Sequence, residues 1–241
     1  MVTPEIHQVV VSAAPGDAIT NAALEWRALL RRDGPSEIFS CYRDDALVGE
    51  VFPLEAYEEL SSADGGENLL LLHASIGDPR LHQFLDARRE RLVLMYHNIT
   101  PPEYFLPFAP HFAELLADGR RELKAVRDRV VLALAASAYN AGELEELGYE
   151  RVRVTPLIVD PARLRAIEPN PALVEELDRR CEGPVLLFIG QLLPHKRPDL
   201  LVEAFHVLAT HHVPDATLFL VGAPRIDSYQ RAIRRLIREL S

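Results

Sequence analysis

The residues best placed to do chemistry lie between Val185 and Phe205, in the stretch VLLFIGQLLPHKRPDLLVEAF. A wholly apolar run, Val185 to Ile189, stops at Gly190; the basic pair Lys196-Arg197 follows, and a helix signal begins at Pro198-Asp199. The order buried strand, glycine turn, cation, helix start suits a phosphate or diphosphate, since the free N–H groups and dipole of a helix N-terminus both favour an anion. A solvated basic pair is the plainer account of Lys196 and Arg197. No Gly-Lys-Ser or Gly-Lys-Thr follows Gly190, so this is no P-loop, and the chain holds no Gly-x-Gly-x-x-Gly dinucleotide fingerprint.

Three other loops carry candidate groups. In Ala14-Pro15-Gly16-Asp17-Ala18, Gly16 permits close approach of the backbone to a ligand, and Asp17 either caps a helix or accepts from sugar hydroxyls. His73-Ala74-Ser75-Ile76-Gly77 falls one residue short of a Gly-x-Ser-x-Gly nucleophile elbow, with His73 in place of the first glycine; His73 reads equally as a satisfied buried histidine. Tyr96-His97-Asn98-Ile99-Thr100-Pro101-Pro102 puts a polar pair at the end of an apolar run, in a loop stiffened by two prolines, where His97 is either structural or catalytic. Asp44-Asp45 has no histidine nearby, so it reads as solvated charge, and no metal site is expected.

Positioning these loops requires alternating strands and helices. Strands are expected at Ile6–Ser12, Glu37–Tyr42, Asn68–His73, Leu92–Tyr96, Val131–Ala135 and Val152–Val154. Helical spacing recurs at Ile19–Leu30, Leu81–Arg88, Phe112–Val126 and Asn140–Leu147. Strands this apolar, separated by helices, imply a parallel sheet buried on both faces. A proline-rich linker spans Val159–Pro171, and beyond it come a helix at Leu173–Cys181, the Val185 and Pro198 elements, a strand at Thr217–Val221 ending at Gly222, and a helix at Ile226–Leu240. That second unit has two convincing strands where a free-standing doubly wound domain has five or six. Only 36 residues follow Phe205, so the chain is expected to be incomplete, or completed by a partner.

Bulk composition narrows the classes. A net charge of −10 over 241 residues argues against nucleic-acid binding as the main task. Cys41 and Cys181 lie far apart and form no metal-spaced cluster, which fits a reduced, cytoplasmic setting. The N-terminus lacks a basic region before its short apolar run, arguing against a signal peptide. No apolar stretch approaches the roughly 20 residues of a membrane span, which leaves peripheral membrane contact open.

Together the loops resemble the large family of retaining GT-B-fold glycosyltransferases with a C-terminal group 1 transferase domain. The likeness runs along the whole chain and is strongest at Gly16-Asp17-Ala18-Ile19, at Tyr96 to Pro101, at Ser137-Ala138-Tyr139-Asn140-Ala141-Gly142-Glu143-Leu144 and at Phe188 to Lys196. The resemblance implies an α/β fold with two Rossmann-like domains facing across a cleft: an acceptor-side domain over residues 1–165 and a partial nucleotide-sugar domain over 166–241. It implies metal-independent hexosyl transfer, with retention, from a UDP- or GDP-linked sugar to a sugar or glycan acceptor. Gly16, Gly190, Lys196 and Arg197 would bind the donor diphosphate, His97 would lie by the transferred sugar, and Asp17, Asn98, Ser137 and Asn140 would line the acceptor side or the cleft. Two departures matter. Gln191 stands where the family has arginine in Gly-Arg-Leu, and the family's Glu-x7-Glu pair would fall after the last residue, so the chain alone is expected to turn over poorly or not at all. A non-catalytic, transferase-like binding module and a nucleotide-sugar epimerase of the same architecture are the competing readings.

Overall fold

The structure, a computed structural model, describes residues 4–62, 68–159 and 161–240. Asp160, inside the expected linker, lies outside the described residues. The chain divides into two compact units, one of Met1–Pro101 with Glu114–Val159, the other of Pro102–Ala113 with Asp160–Ser241.

The first unit is built on β1 (Ile6–Ala13), β2 (Ile38–Arg43), β3 (Phe52–Pro53), β4 (Leu69–Ala74), β5 (Arg91–Tyr96), β6 (Val130–Ala135) and β7 (Val152–Val154). They form one sheet in the order β3-β2-β1-β4-β5-β6-β7, parallel throughout. The connecting helices are α1 (Ala18–Leu30), α2 (Tyr57–Leu60), α3 (Pro79–Asp86), α4 (Pro110–Val126) and α5 (Ala138–Glu146). Chain order reverses between β1 and β4, and such a switch point opens a crevice at the strands' carboxyl ends. The sheet is covered on both sides, as its apolar sequence requires. Val10, Ala13, Ala23, Ile38, Leu47 and Val51 form one buried cluster; Leu71, Met95 and Leu134 form another with Trp26 and Leu30 against it. A run of edge-on rings, Phe39 to Tyr57 (5.0 Å) and Tyr57 to Phe84 (5.3 Å), fills the β2 side. Aromatic pairs favour this geometry.

The expected strands all form. The edge strand β3 is an addition: two residues, one of them Pro53, carry too little alternation to read from sequence, and proline is tolerated because the strand is at the edge. Asp44 accepts from Ala46 N (2.9 Å) and so caps a 3-10 turn at Asp45–Leu47.

The second unit contains α6 (Pro161–Arg165), α7 (Pro171–Arg180), β8 (Val185–Ile189), α8 (Pro198–His211), β9 (Thr217–Val221) and α9 (Asp227–Leu240). Strands β8 and β9 pair in parallel, and α8 packs on α9. The segment Pro102–Ala113 belongs here: Ser228 Oγ donates to Phe108 O (2.7 Å), and the Phe108 and Tyr229 rings meet edge-on at 4.8 Å. One expectation needs correction. The Val185 strand reads as fully buried, yet Val185, Leu187 and Ile189 are 52%, 58% and 74% exposed. The reason is layering: the sheet has two strands, and among the described residues nothing covers that face.

Candidate functional site

In the first unit, the sequence-predicted residues gather at the carboxyl ends of β1, β4, β5 and β6. The turn after β1 contains Gly16, with φ +76° and no atom within 4 Å of where a Cβ would stand, so it is left-handed and faces open space. Glycine is the residue that adopts this backbone without strain. Asp17 is the N-cap of α1. Its Oδ2 accepts from Ile19 N (3.1 Å), Thr20 N (2.9 Å) and Thr20 Oγ1 (3.0 Å), satisfying helix-end amides that would otherwise lack partners.

His97 leaves β5 with its backbone N–H still bonded to Ala74 O (3.0 Å), so the sheet aims the loop. Its Nε2 lies 2.8 Å from Nδ1 of His73, whose Nε2 lies 2.9 Å from Gln8 Oε1. His73 is fully buried with both ring nitrogens partnered; burial holds its pKa well below the usual imidazole value, helped by His97. Burial likewise lowers the His97 pKa to about 4, although Asp17 pulls the other way. Both rings are therefore neutral near pH 7, and His97 acts there as a hydrogen-bonding group rather than a cation.

The next residues are fixed from below. Asn98 is left-handed (φ +79°) and exposed. Asparagine tolerates that conformation better than most residues. The buried Tyr96 hydroxyl accepts from Ile99 N (3.2 Å) and donates to Glu143 Oε2 (2.9 Å). Burial first, and the Glu143 bond with it, raises the Tyr96 pKa to about 12, so it stays protonated. Arg120 completes the brace, donating to Ile99 O (2.5 Å) and pairing with Glu143 Oε1 at 3.3 Å. Ser137 is the exposed N-cap of α5 and accepts from Asn140 N (3.2 Å). Asn140 is buried and donates from Nδ2 to Tyr96 O (3.4 Å), so its amide holds the β5 terminus where His97 departs. Gln8, Glu143 and Arg120 were not legible as site residues. Gln8 did leave a signal, a polar side chain inside an apolar strand.

In the second unit, β8 is followed by Gly190 (φ +157°), whose N–H donates to Val221 O (3.0 Å). A Cβ added to Gly222 would sit 1.7 Å from Gly190 O, so the two strand ends approach more closely than any side chain allows. Gly222 thus shapes the turn after β8, and its signal in sequence is that the second strand also ends in glycine. The chain then makes a 3-10 turn at Pro194–Lys196 and enters α8 through Arg197, which is left-handed (φ +53°) and makes no side-chain cap. Lys196 is exposed and makes no ion pair among the described residues. Arg197 differs: its Nε donates to Asp199 Oδ1 (3.1 Å), which also accepts from Tyr229 OH (2.9 Å). Burial acts to raise the Asp199 pKa, but these two donors and the Leu200 backbone hold it low. The carboxylate therefore already occupies the first turn of α8 and shares the charge of Arg197. No group of three or more His, Cys, Asp or Glu side chains able to hold a metal occurs among the described residues. No helix among them is long and apolar enough to cross a membrane.

No family model matches the chain. Over 125 residues, 51% of the chain and 28% of the relative, it is 31% identical to D-inositol 3-phosphate glycosyltransferase of Nocardia farcinica. Two similar solved structures are HepE of Anabaena in complex with UDP-glucose (TM-score 0.68, 16% identity, 98% of this chain and 66% of that one) and sucrose-phosphate synthase of Thermosynechococcus elongatus (TM-score 0.64, 16% identity, 98% and 68%). The chain thus spans about a quarter of the curated relative and about two thirds of these structures. At such identities the likeness speaks to architecture, and it shows an α/β fold of the GT-B type, with a Rossmann-like unit on a seven-stranded parallel sheet and a second, smaller α/β unit.

Proposed function

We propose that the chain is part of a glycosyltransferase that moves a hexosyl group from a UDP- or GDP-linked sugar to a sugar-containing acceptor with retention and without a metal. Residues 1–165 would form the acceptor-side domain and 166–241 part of the nucleotide-sugar domain. The observation that carries this reading is the turn after β8, where paired glycines let the strand ends pass closely and the exposed Lys196, without an ion pair among the described residues, follows. As the glycosidic bond to the donor breaks, negative charge grows on the leaving diphosphate, and a preorganised cation beside backbone N–H groups stabilises it as it develops. Lys196 takes the larger share of that task, because Arg197 is already shared with Asp199 and Gln191 carries no charge. In the first unit, Gly16 leaves room for a ligand and neutral His97 hydrogen-bonds with a sugar hydroxyl, with Asp17, Asn98, Ser137 and Asn140 shaping its surroundings. The identity to the Nocardia enzyme and the GT-B-type fold support the reading.

Calorimetry of the 241-residue chain with UDP- and GDP-linked sugars tests it, with Lys196→Ala as comparison. Binding is expected to weaken about 10-fold or more in the variant, the worth of one hydrogen bond to a charged group. Binding that is indifferent to Lys196→Ala would refute the assignment of the site. Silence from every nucleotide sugar would move the reading to a non-catalytic binding module.

A further inference from the structure

The buried polar chain behind His97 runs in one direction. Ala23 O can only accept, so the Gln8 amide nitrogen must be the atom 3.0 Å from it. That turns Gln8 Oε1, also only an acceptor, toward His73 Nε2 at 2.9 Å, so this nitrogen carries the proton. A neutral imidazole has one N–H, which leaves His73 Nδ1 bare. The His97 Nε2 that faces it at 2.8 Å must then donate. His97 is left with its only proton on Nε2 and its Nδ1 as an acceptor, and no partner for Nδ1 occurs among the described residues.

Gln8 and His73 are both fully buried, in β1 and β4 on the two sides of the switch point, and Ala23 belongs to the helix that Asp17 caps. Reversing any one link would oppose two N–H groups or two lone pairs in a dry interior, where an unmade hydrogen bond is expensive. We propose that Gln8 and His73 are positioning residues that hold His97 in the Nε2–H tautomer, so that His97 offers Nδ1 to a ligand hydroxyl and gives no hydrogen bond to an anionic oxygen. The ligand half of this statement rests on the reading of His97 as a sugar-binding residue; the tautomer half does not.

Long-range 15N–1H correlation spectra of the full chain at pH 7.5, with labelled histidine, decide the tautomer directly. Both His73 and His97 are expected to carry the proton on Nε2. A proton on Nδ1 of either ring, or rapid averaging between the two, overturns the proposal even if Gln8 variants fail to fold. In a folded Gln8→Leu variant both rings should become tautomer mixtures, because nothing then orients His73. Affinity for UDP-glucose should fall a few-fold, about the worth of one neutral hydrogen bond, while affinity for UDP alone stays unchanged. Unchanged tautomers and an unchanged UDP-glucose to UDP ratio in that variant would show the relay to be packing only. Failure of the wild-type chain to bind UDP at all would instead count against the glycosyltransferase reading and leave the tautomer result standing.

Discussion

The loop that carries His97 is held by side chains from four other elements, whereas the loop that carries Lys196 is held mainly by its own backbone. Tyr96, Asn140, Glu143, Arg120 and His73 all act on the first loop, and most of them are buried. The second depends on the close pass of Gly190 and Gly222, a 3-10 turn and a left-handed Arg197. A neutral hydrogen-bonding group needs its direction set, and buried partners set it. A cation facing a diffuse negative charge needs location more than direction, and a stiff turn supplies that. The two units should therefore fail in different ways.

Core packing should show the largest contrast. Leu94→Ala, in the buried centre of β5, is expected to lower stability by about 2–5 kcal/mol in urea unfolding, and Leu187→Ala, in exposed β8, by less than about 1 kcal/mol. Equal effects would mean that β8 is as well covered as β5. Next comes acid sensitivity. His73 and His97 stay unprotonated in the folded unit down to about pH 4 in the case of His97, whereas in the unfolded chain they take up protons near the ordinary value of 6.5. The unfolded state then binds more protons between those pH values, so stability falls as pH drops from about 6.5 toward 4. A paired His73→Leu, His97→Leu variant should flatten that slope in pH-dependent melting; an unchanged slope would place the acid sensitivity elsewhere.

Gly222→Ala should act locally in the second unit. Its methyl would meet Gly190 O, forcing the strand ends apart at a cost of about 1–3 kcal/mol and weakening the nucleotide-sugar binding proposed for this turn, with the first unit's amide exchange unchanged. The smallest effect belongs to Asn98. Replacement by valine costs about 1–2 kcal/mol because the residue is left-handed, while glycine should be tolerated, as thermal melting of the two variants would show.

How much of this was visible in the sequence follows the same division. Continuous apolar runs announced the strands of the first sheet, and the Gly16, His97, Gly190 and Lys196 loops were legible because glycine, proline and charge punctuate strand ends. The brace was not legible: Tyr96 reaches Glu143 across 47 residues and Gln8 reaches His73 across 65, and no local pattern encodes such pairings. Nor could apolarity alone say whether β8 is covered, since exposure depends on what packs above it. The sequence marks Asp199 as part of a helix start; only the folded chain pairs it with Arg197 and Tyr229.

The central claim, that the Gly190 to Lys196 turn is the diphosphate site of a nucleotide-sugar enzyme, is tested most directly by amide chemical-shift mapping during titration with UDP-glucose. Progressive, saturable shifts at the Gly190, Lys196 and Arg197 amides, lost in Lys196→Ala, are the predicted result. Saturable binding that leaves those amides unmoved would contradict the account.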